Sequence, residues 1–169
     1  TKLTIGAKRN RLNDLALGTI LVCMDDDDYY PPDRISHVVW SMMNNPEYPV
    51  CGSSELYLYF SDSKKVYKLG PYGTSHATNG TMAYRRSYTK KHRYDESVLK
   101  GEESSFLNEF SVRMLQLDPY KTQLLISHKE NTFDKRLLRE HASPMVKLTD
   151  LTLSDFIKDD ELRAFYEEA

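Results

Sequence analysis

The chain has 169 residues, 40% of them hydrophobic, which bounds it to one domain of ordinary size with enough apolar material for a core. A formal net charge of −2 excludes a basic surface for polynucleotides, and no apolar run approaches the length of a membrane span or a signal-peptide core. Its two cysteines, Cys23 and Cys51, lie in apolar segments and have neither the number for a disulfide scaffold nor the spacing of zinc ligands, so both read as core residues.

Leu12, Leu15 and Ala16 at helical spacing predict a helix over 8–17, with Gly18 in the position of its C-terminal cap. A β-branched run, TILVCM, then predicts a buried strand that ends in four consecutive aspartates, Asp25 to Asp28. Carboxylates at the C-terminal end of such a strand lie in the crevice where open α/β sheets bind ligands. Four adjacent carboxylates repel one another unless a cation sits among them. Magnesium or manganese, itself holding phosphate oxygens, is the natural counter-charge and makes this a metal-diphosphate site. The alternative, a solvated acidic loop, would leave the apolar residues Ile20 to Met24 on the surface.

Beyond Pro31-Pro32, Asp33 is placed to start a helix, and Ile35, Val38, Val39, Met42 and Met43 mark its apolar face up to Asn44-Asn45-Pro46. Leu56, Leu58 and Phe60 alternate with Tyr57 and Tyr59 and, with VYKL after SDSKK, predict a hairpin. A strand is expected over Gly80 to Tyr84, a short amphipathic helix over Glu102 to Val112, and a strand TQLLIS that delivers His128 into HKENT. Ile157, Leu162 and Phe165 predict a C-terminal packing helix, so the reading is a single domain over 1–169 in which 146–169 form a helical extension.

Three further features accompany the aspartates, each with a structural reading beside the functional one. Lys8-Arg9-Asn10 place two cations and an amide near a helix start, where anions are stabilised and where a solvated first turn is also ordinary. Glu102-Glu103 lie at another helix start, as helix-dipole complementarity alone would have it. His128 at a strand end could complete a metal site, contact a phosphate, or be structural. Asn79-Gly80-Thr81 is formally a glycosylation acceptor sequence, but its glycine is better explained by close approach of backbone to a ligand.

The order of these pieces resembles a GT-A glycosyltransferase of the family 2 type, including relatives encoded by large DNA viruses such as chlorella viruses. The matching segments are GAKRNRLNDLALGTILVCMDDDDYYPPDRI, NGTMAYRRS, GEESSFL and HKENT, and the resemblance covers approximately Lys8 to Arg136. The resemblance implies an α/β fold with a mixed sheet flanked by helices, here lacking the first strand-helix-strand unit that holds the nucleobase. It implies a metal-dependent, inverting transfer of a hexosyl or deoxyhexosyl group from a nucleotide sugar, a UDP-sugar by family habit, to a hydroxyl of a glycan or glycoprotein. Lys8, Arg9, Asn10, Asp25, Asp26, Gly80 and Thr81 would bind the donor, with Met82 beside them. Asp27, Asp28 and His128 would hold Mn2+ or Mg2+. Glu103 would be the general base, with Glu102 its alternate, and the location would be cytoplasmic, the host cytoplasm if viral.

Two other readings compete. A haloacid-dehalogenase-type phosphatase also places DxD after a buried strand, but Asp28 and Tyr29 stand where a small hydroxyl residue is common, and no downstream acidic pair matches. A non-catalytic nucleotide-sugar or metal-binding domain on the same fold would lack a working Glu103.

Overall fold

The computed structural model describes residues 3–98, 101–128, 135, 137–140 and 143–168. They form two mixed four-stranded sheets with helices packed on them. In chain order the elements are α1 (Ile5–Leu15), β1 (Ile20–Val22), α2 (Arg34–Asn44), β2 (Val50–Gly52), β3 (Leu56–Phe60), β4 (Lys65–Leu69), β5 (Ala83–Arg85), α3 (Glu103–Phe106), β6 (Met114–Gln116), β7 (Leu124–Ser127), α4 (Leu137–Glu140), β8 (Val146–Leu148), α5 (Leu153–Phe156) and α6 (Asp160–Glu168).

The first sheet has the order β1-β5-β2-β6, with β5 antiparallel to both neighbours and β2 parallel to β6. The β1–β5 register pairs Ile20 with Arg85 and Val22 with Ala83. Cys23 N–H donates to Met82 O and Arg86 N–H to Thr19 O. Because facing alternates along an antiparallel pair, Ile20 and Val22 turn their backbone groups away from β5. β1 is therefore the edge of its sheet rather than an enclosed strand, and Ile20, Leu21 and Val22 are only half-buried.

One face of this sheet packs Val38 and Met42 of α2 against Ile20, Val22, Cys51 and Ala83. Burying each of those α2 side chains contributes roughly 1.5–3 kcal/mol. The expected five-residue stripe of α2 divides here, because Ile35, Val39 and Met43 on the neighbouring face are exposed.

The opposite face carries α1, and its orientation differs from expectation. Gly6, Asn10 and Asn13 are its buried residues, whereas Leu12 and Leu15 face outward. Polar contacts set this rotation. Asn10 donates to Tyr94 O at 2.9 Å and accepts from Tyr94 N–H at 3.0 Å, while Asn13 accepts from Tyr84 Oη at 2.8 Å. Thr4 caps the start by accepting from Ala7 N–H, and the helix ends at Leu15 with Ala16 as its extended cap, so Gly18 lies beyond the cap.

The second sheet has the order β7-β3-β4-β8. The β3–β4 hairpin forms as its alternation predicts, pairing Leu56 with Leu69 and Phe60 with Lys65. Tyr57 and Tyr59 pack with Val66, Leu124, Ile126, Leu153 and Ile157 on one face, and Leu56, Leu58 and Phe60 with Leu69 on the other. The segment expected to be a helical extension opens with a strand, since β8 pairs antiparallel with β4, and its helical part is split into α5 and α6.

Two segments differ further from their sequence reading. Gly80 and Thr81 belong to a 3-10 turn, Asn79–Thr81, and the strand begins only at Ala83. The helix expected over Glu102 to Val112 stops at Phe106, because Asn108, Glu109 and Phe110 all have left-handed backbone angles, φ 49, 54 and 57. The Phe110 ring then stacks on His76 at 4.8 Å.

Candidate active site

The aspartate tract spans the gap between the two sheets. Asp25 follows the end of β1, and four residues later Tyr29 is locked to β7 by reciprocal backbone bonds with Leu124, 3.1 and 2.9 Å. Tyr30 braces the loop from inside, its hydroxyl accepting from Asp25 N–H at 2.7 Å and from the Gln123 amide at 3.1 Å. This bracing turns the four carboxylates in different directions.

Asp25 is half-buried and its Oδ1 lies 3.2 Å from Arg9 Nη1. Asp26 and Asp27 are exposed, and Asp27 Oδ2 lies 3.8 Å from His128 Nε2. Asp28 points inward. Its Oδ1 accepts from Ile126 N–H at 2.8 Å and lies 3.1 Å from Lys135 Nζ, and its Oδ2 accepts from Gln123 Nε2 at 2.7 Å. Burial pushes the Asp28 carboxyl above its ordinary value, against the pull of Lys135 and the Ile126 N–H. With its oxygens engaged in this way, Asp28 is a structural carboxylate, in contrast to the metal-ligand role expected of it. It fastens the strand before His128 and Lys135 beyond it.

Arg9 is the hub of the site. Besides Asp25, its Nε donates to Glu102 Oε1 at 2.9 Å. With the Asn79 amide oriented to satisfy both neighbours, its nitrogen donates to Tyr94 Oη and its oxygen accepts from Arg9 Nη2 at 3.2 Å. Burial works against the guanidinium charge, but Asp25 and Glu102 more than offset it, so Arg9 is held above its ordinary value. Asn79 in turn donates its backbone N–H to Glu103 Oε1 at 3.1 Å.

The two adjacent glutamates are thereby distinguished. Glu102 is buried and spent on Arg9. Glu103 is partly exposed, and burial followed by the charge of Glu102 raises its carboxyl above the usual value. A partly exposed carboxylate with raised proton affinity suits a general base.

Several expected donor contacts lie inside the protein instead. Asn10 is buried and bonded to Tyr94 as above, and also to Glu96 at 2.8 Å. Gly80, Thr81 and Met82 are all buried. A Cβ at Gly80 would fall 2.3 Å from the Gln123 amide, so the close approach that requires glycine is to Gln123 and not to a ligand. Thr81 Oγ1 accepts from Ser53 N–H and donates to Thr78 O, while Arg34 Nη2 donates to the carbonyls of Thr81 and Met82. Lys8 is exposed on α1. Asn131 and Thr132 of the HKENT segment lie outside the described residues.

Asn79, Tyr94, Tyr30, Gln123 and Lys135 support the site and were not singled out for it in the sequence. Asn79 stands in a glycosylation triplet and, like Tyr30, inside a segment that carries the resemblance, but nothing local gives either a role, and nothing marks Tyr94, Gln123 or Lys135. Among the described residues no three His, Cys, Asp or Glu side chains already converge as a metal cage. The pair Asp27–His128 nonetheless fits a hard divalent ion that takes few protein ligands and completes its shell with phosphate oxygens.

Among the described residues no helix is long and apolar enough to cross a membrane. No curated protein sequence matches the chain. Residues 1–95, more than half of its length, match the glycosyl transferase family 2 profile. That span contains α1, the aspartate tract and the Asn79 turn, and the chain belongs to glycosyl transferase family 2.

Proposed function

We propose that the chain is the catalytic core of a metal-dependent, inverting glycosyltransferase that moves a sugar from a nucleoside-diphosphate sugar, with uridine as the base, to a hydroxyl of a glycan or glycoprotein. The observation that carries this reading is the meeting of Asp25 and Glu102 on one guanidinium, 3.2 and 2.9 Å away. It joins the acidic strand end to the acid pair more than 70 residues later, bringing the carboxylates proposed for the donor and acceptor sides together.

Asp27 and His128 would hold Mn2+ or Mg2+ together with the donor diphosphate, and Asp26 lies beside them on the exposed side of the loop. A bound divalent ion supplies Lewis-acid stabilisation of the charge that develops on the leaving diphosphate. Glu103 takes the proton of the acceptor hydroxyl as that oxygen forms its bond to the anomeric carbon. The leaving-group bond breaks in the same step, which inverts configuration. Arg9 orients Glu102 and Asn79, and Asn79 holds one Glu103 oxygen while leaving the carboxylate partly open.

The fold is proposed to be GT-A with its sheet continued past β1. The outward backbone groups of Ile20 and Val22, flanked by exposed Leu12 and Leu15 on one side and Ile35 and Met43 on the other, suit one more strand apolar on both faces. Amide exchange tests this. Ile20 and Val22 exchange fast in this chain and slowly in one that carries the added strand; equal rates refute it.

The functional test is a Mn2+-supplemented panel of nucleotide sugars and glycan acceptors. Glu103→Gln abolishes transfer while donor binding survives, and Asp27→Ala removes metal-dependent binding of UDP. An unchanged transfer rate in Glu103→Gln, or metal-independent UDP binding of equal strength, overturns the reading.

A further inference from the structure

We propose that Arg9 is a positioning residue that couples the donor-side carboxylate Asp25 to the base Glu103, acting through Glu102 and Asn79. The inference rests on the assignment of Glu103 as the base, but its geometry is independent of any donor.

Three acceptors from three separate parts of the chain converge on this guanidinium: Asp25 after β1, Glu102 before α3, and the Asn79 side chain in the turn before β5. A planar fork with donors fixed at Nε, Nη1 and Nη2 can serve all three at once, whereas an ammonium is a single point of charge. The Arg9 side chain is only 15% exposed and that of Glu102 only 5%, so water screens these contacts weakly.

The link to Glu103 has two branches. One is mechanical: Asn79, held through its side chain by Arg9 and Tyr94, presents its backbone N–H to Glu103 Oε1 at 3.1 Å. The other is electrostatic. Glu102 and Glu103 are consecutive carboxylates, one buried and the other half-buried, and the ionisation of one opposes that of the other. The positive charge of Arg9 on Glu102 lets both ionise. The charged groups bearing on Glu103 are Glu102 beside it and Arg9 from α1, with Asp25 acting on it through Arg9.

The consequence is directional. Whatever engages Asp25, such as an arriving diphosphate with its cation, changes how much of the Arg9 charge is left for Glu102, and so changes the readiness of Glu103 to accept a proton. A purely structural arginine would hold α1 in place without this dependence.

The experiment is a carbon-13 carboxyl titration of the ligand-free chain labelled at glutamate, with Glu103 assigned by loss of its signal in Glu103→Gln. Relative to the parent, the Glu103 midpoint moves up in Arg9→Met and down in Glu102→Gln and Asp25→Asn. Arg9→Lys restores part of the charge and leaves the midpoint between those of the parent and Arg9→Met. The Asn79 amide proton moves upfield in both Arg9 variants, because the turn that aims it is released. Unchanged midpoints in Arg9→Met and Asp25→Asn overturn the proposal. If Arg9→Met does not fold, Glu102→Gln and Asp25→Asn decide alone. Failure of the transferase reading shows separately, as absence of transfer, since these midpoints are measured without donor or acceptor.

Discussion

Removing the inward-facing aspartate should unfold the site without touching its chemistry. In Asp28→Ala the Lys135 ammonium, its side chain only 12% exposed, loses its carboxylate at 3.1 Å, the Ile126 N–H loses its acceptor at 2.8 Å, and Gln123 loses one of its two acceptors. Leaving a buried charge unpaired costs about 3–5 kcal/mol. The lower end applies here, because burial already disfavours the charged form of Asp28 and the Lys135 ammonium keeps the Ile126 carbonyl at 2.8 Å. A loss near 3 kcal/mol is a large share of the roughly 5–15 kcal/mol that domains possess. Urea unfolding followed by far-ultraviolet circular dichroism reads it as a lower midpoint at constant slope. The comparison is Asp27→Asn, at a carboxylate 40% exposed. It should shift stability by less than about 1 kcal/mol and yet lose Mn2+-dependent UDP binding. If Asp28→Ala unfolds at the parent midpoint and Asp27→Asn does not, the division of roles within the tract is wrong.

Further outcomes follow from the same contacts. Gly80→Ala drives a Cβ into the Gln123 amide, which is itself tied to Asp28 and Tyr30, and should cost about 1–3 kcal/mol in urea unfolding. Asn10→Ala breaks the bracket between α1 and Tyr94 and should lower stability by about 2 kcal/mol, with UDP affinity unchanged in the protein that remains folded at low temperature. Glu103→Gln should be more stable than the parent at neutral pH. The folded-state carboxyl of Glu103 is raised, so its favourable contribution is complete below the unfolded value and lost as pH rises through the folded one. The two proteins should therefore have equal melting temperatures at acidic pH and diverge as Glu103 ionises, and divergence in the opposite sense would refute its raised proton affinity.

The legible parts of the chain were those in which local pattern and tertiary surroundings agree. The β3–β4 hairpin follows from period-two alternation, and β7 from a short apolar run that ends at His128. The aspartate tract and Glu102, which the resemblance assigned to one site in separate roles, are joined through Arg9, a link that motif order does not name. Elsewhere distant partners overrode local pattern. Leu12 and Leu15 have the spacing of a core stripe, but the hydrogen bond that Asn10 donates to Tyr94 and the one that Asn13 accepts from Tyr84 rotate them outward. The apolar run of β1 read as an enclosed strand because composition does not distinguish a central strand from an edge with helices on both faces. No pattern around Asp28 announces Lys135, 107 positions away, and no pattern around Gly80 announces Gln123.

The tract also changes meaning once its neighbours are counted. As a sequence, four adjacent carboxylates demand an external cation for all of them. In the fold the protein itself supplies cations to two of them, Arg9 on Asp25 and Lys135 on Asp28. Asp26 and Asp27 lie on the exposed side of the loop, with His128 facing Asp27. A carboxylate–imidazole pair leaves most of a divalent ion's coordination shell to phosphate oxygens and water. Mg2+ titrations should therefore respond unequally along the tract: Asp27→Asn weakens binding most, Asp26→Asn weakens it through charge alone, and Asp28→Asn, if folded, leaves it unchanged. A protein in which Asp28→Asn matched Asp27→Asn in lost metal affinity would place the ion on the inner side of the loop, where Lys135 now stands.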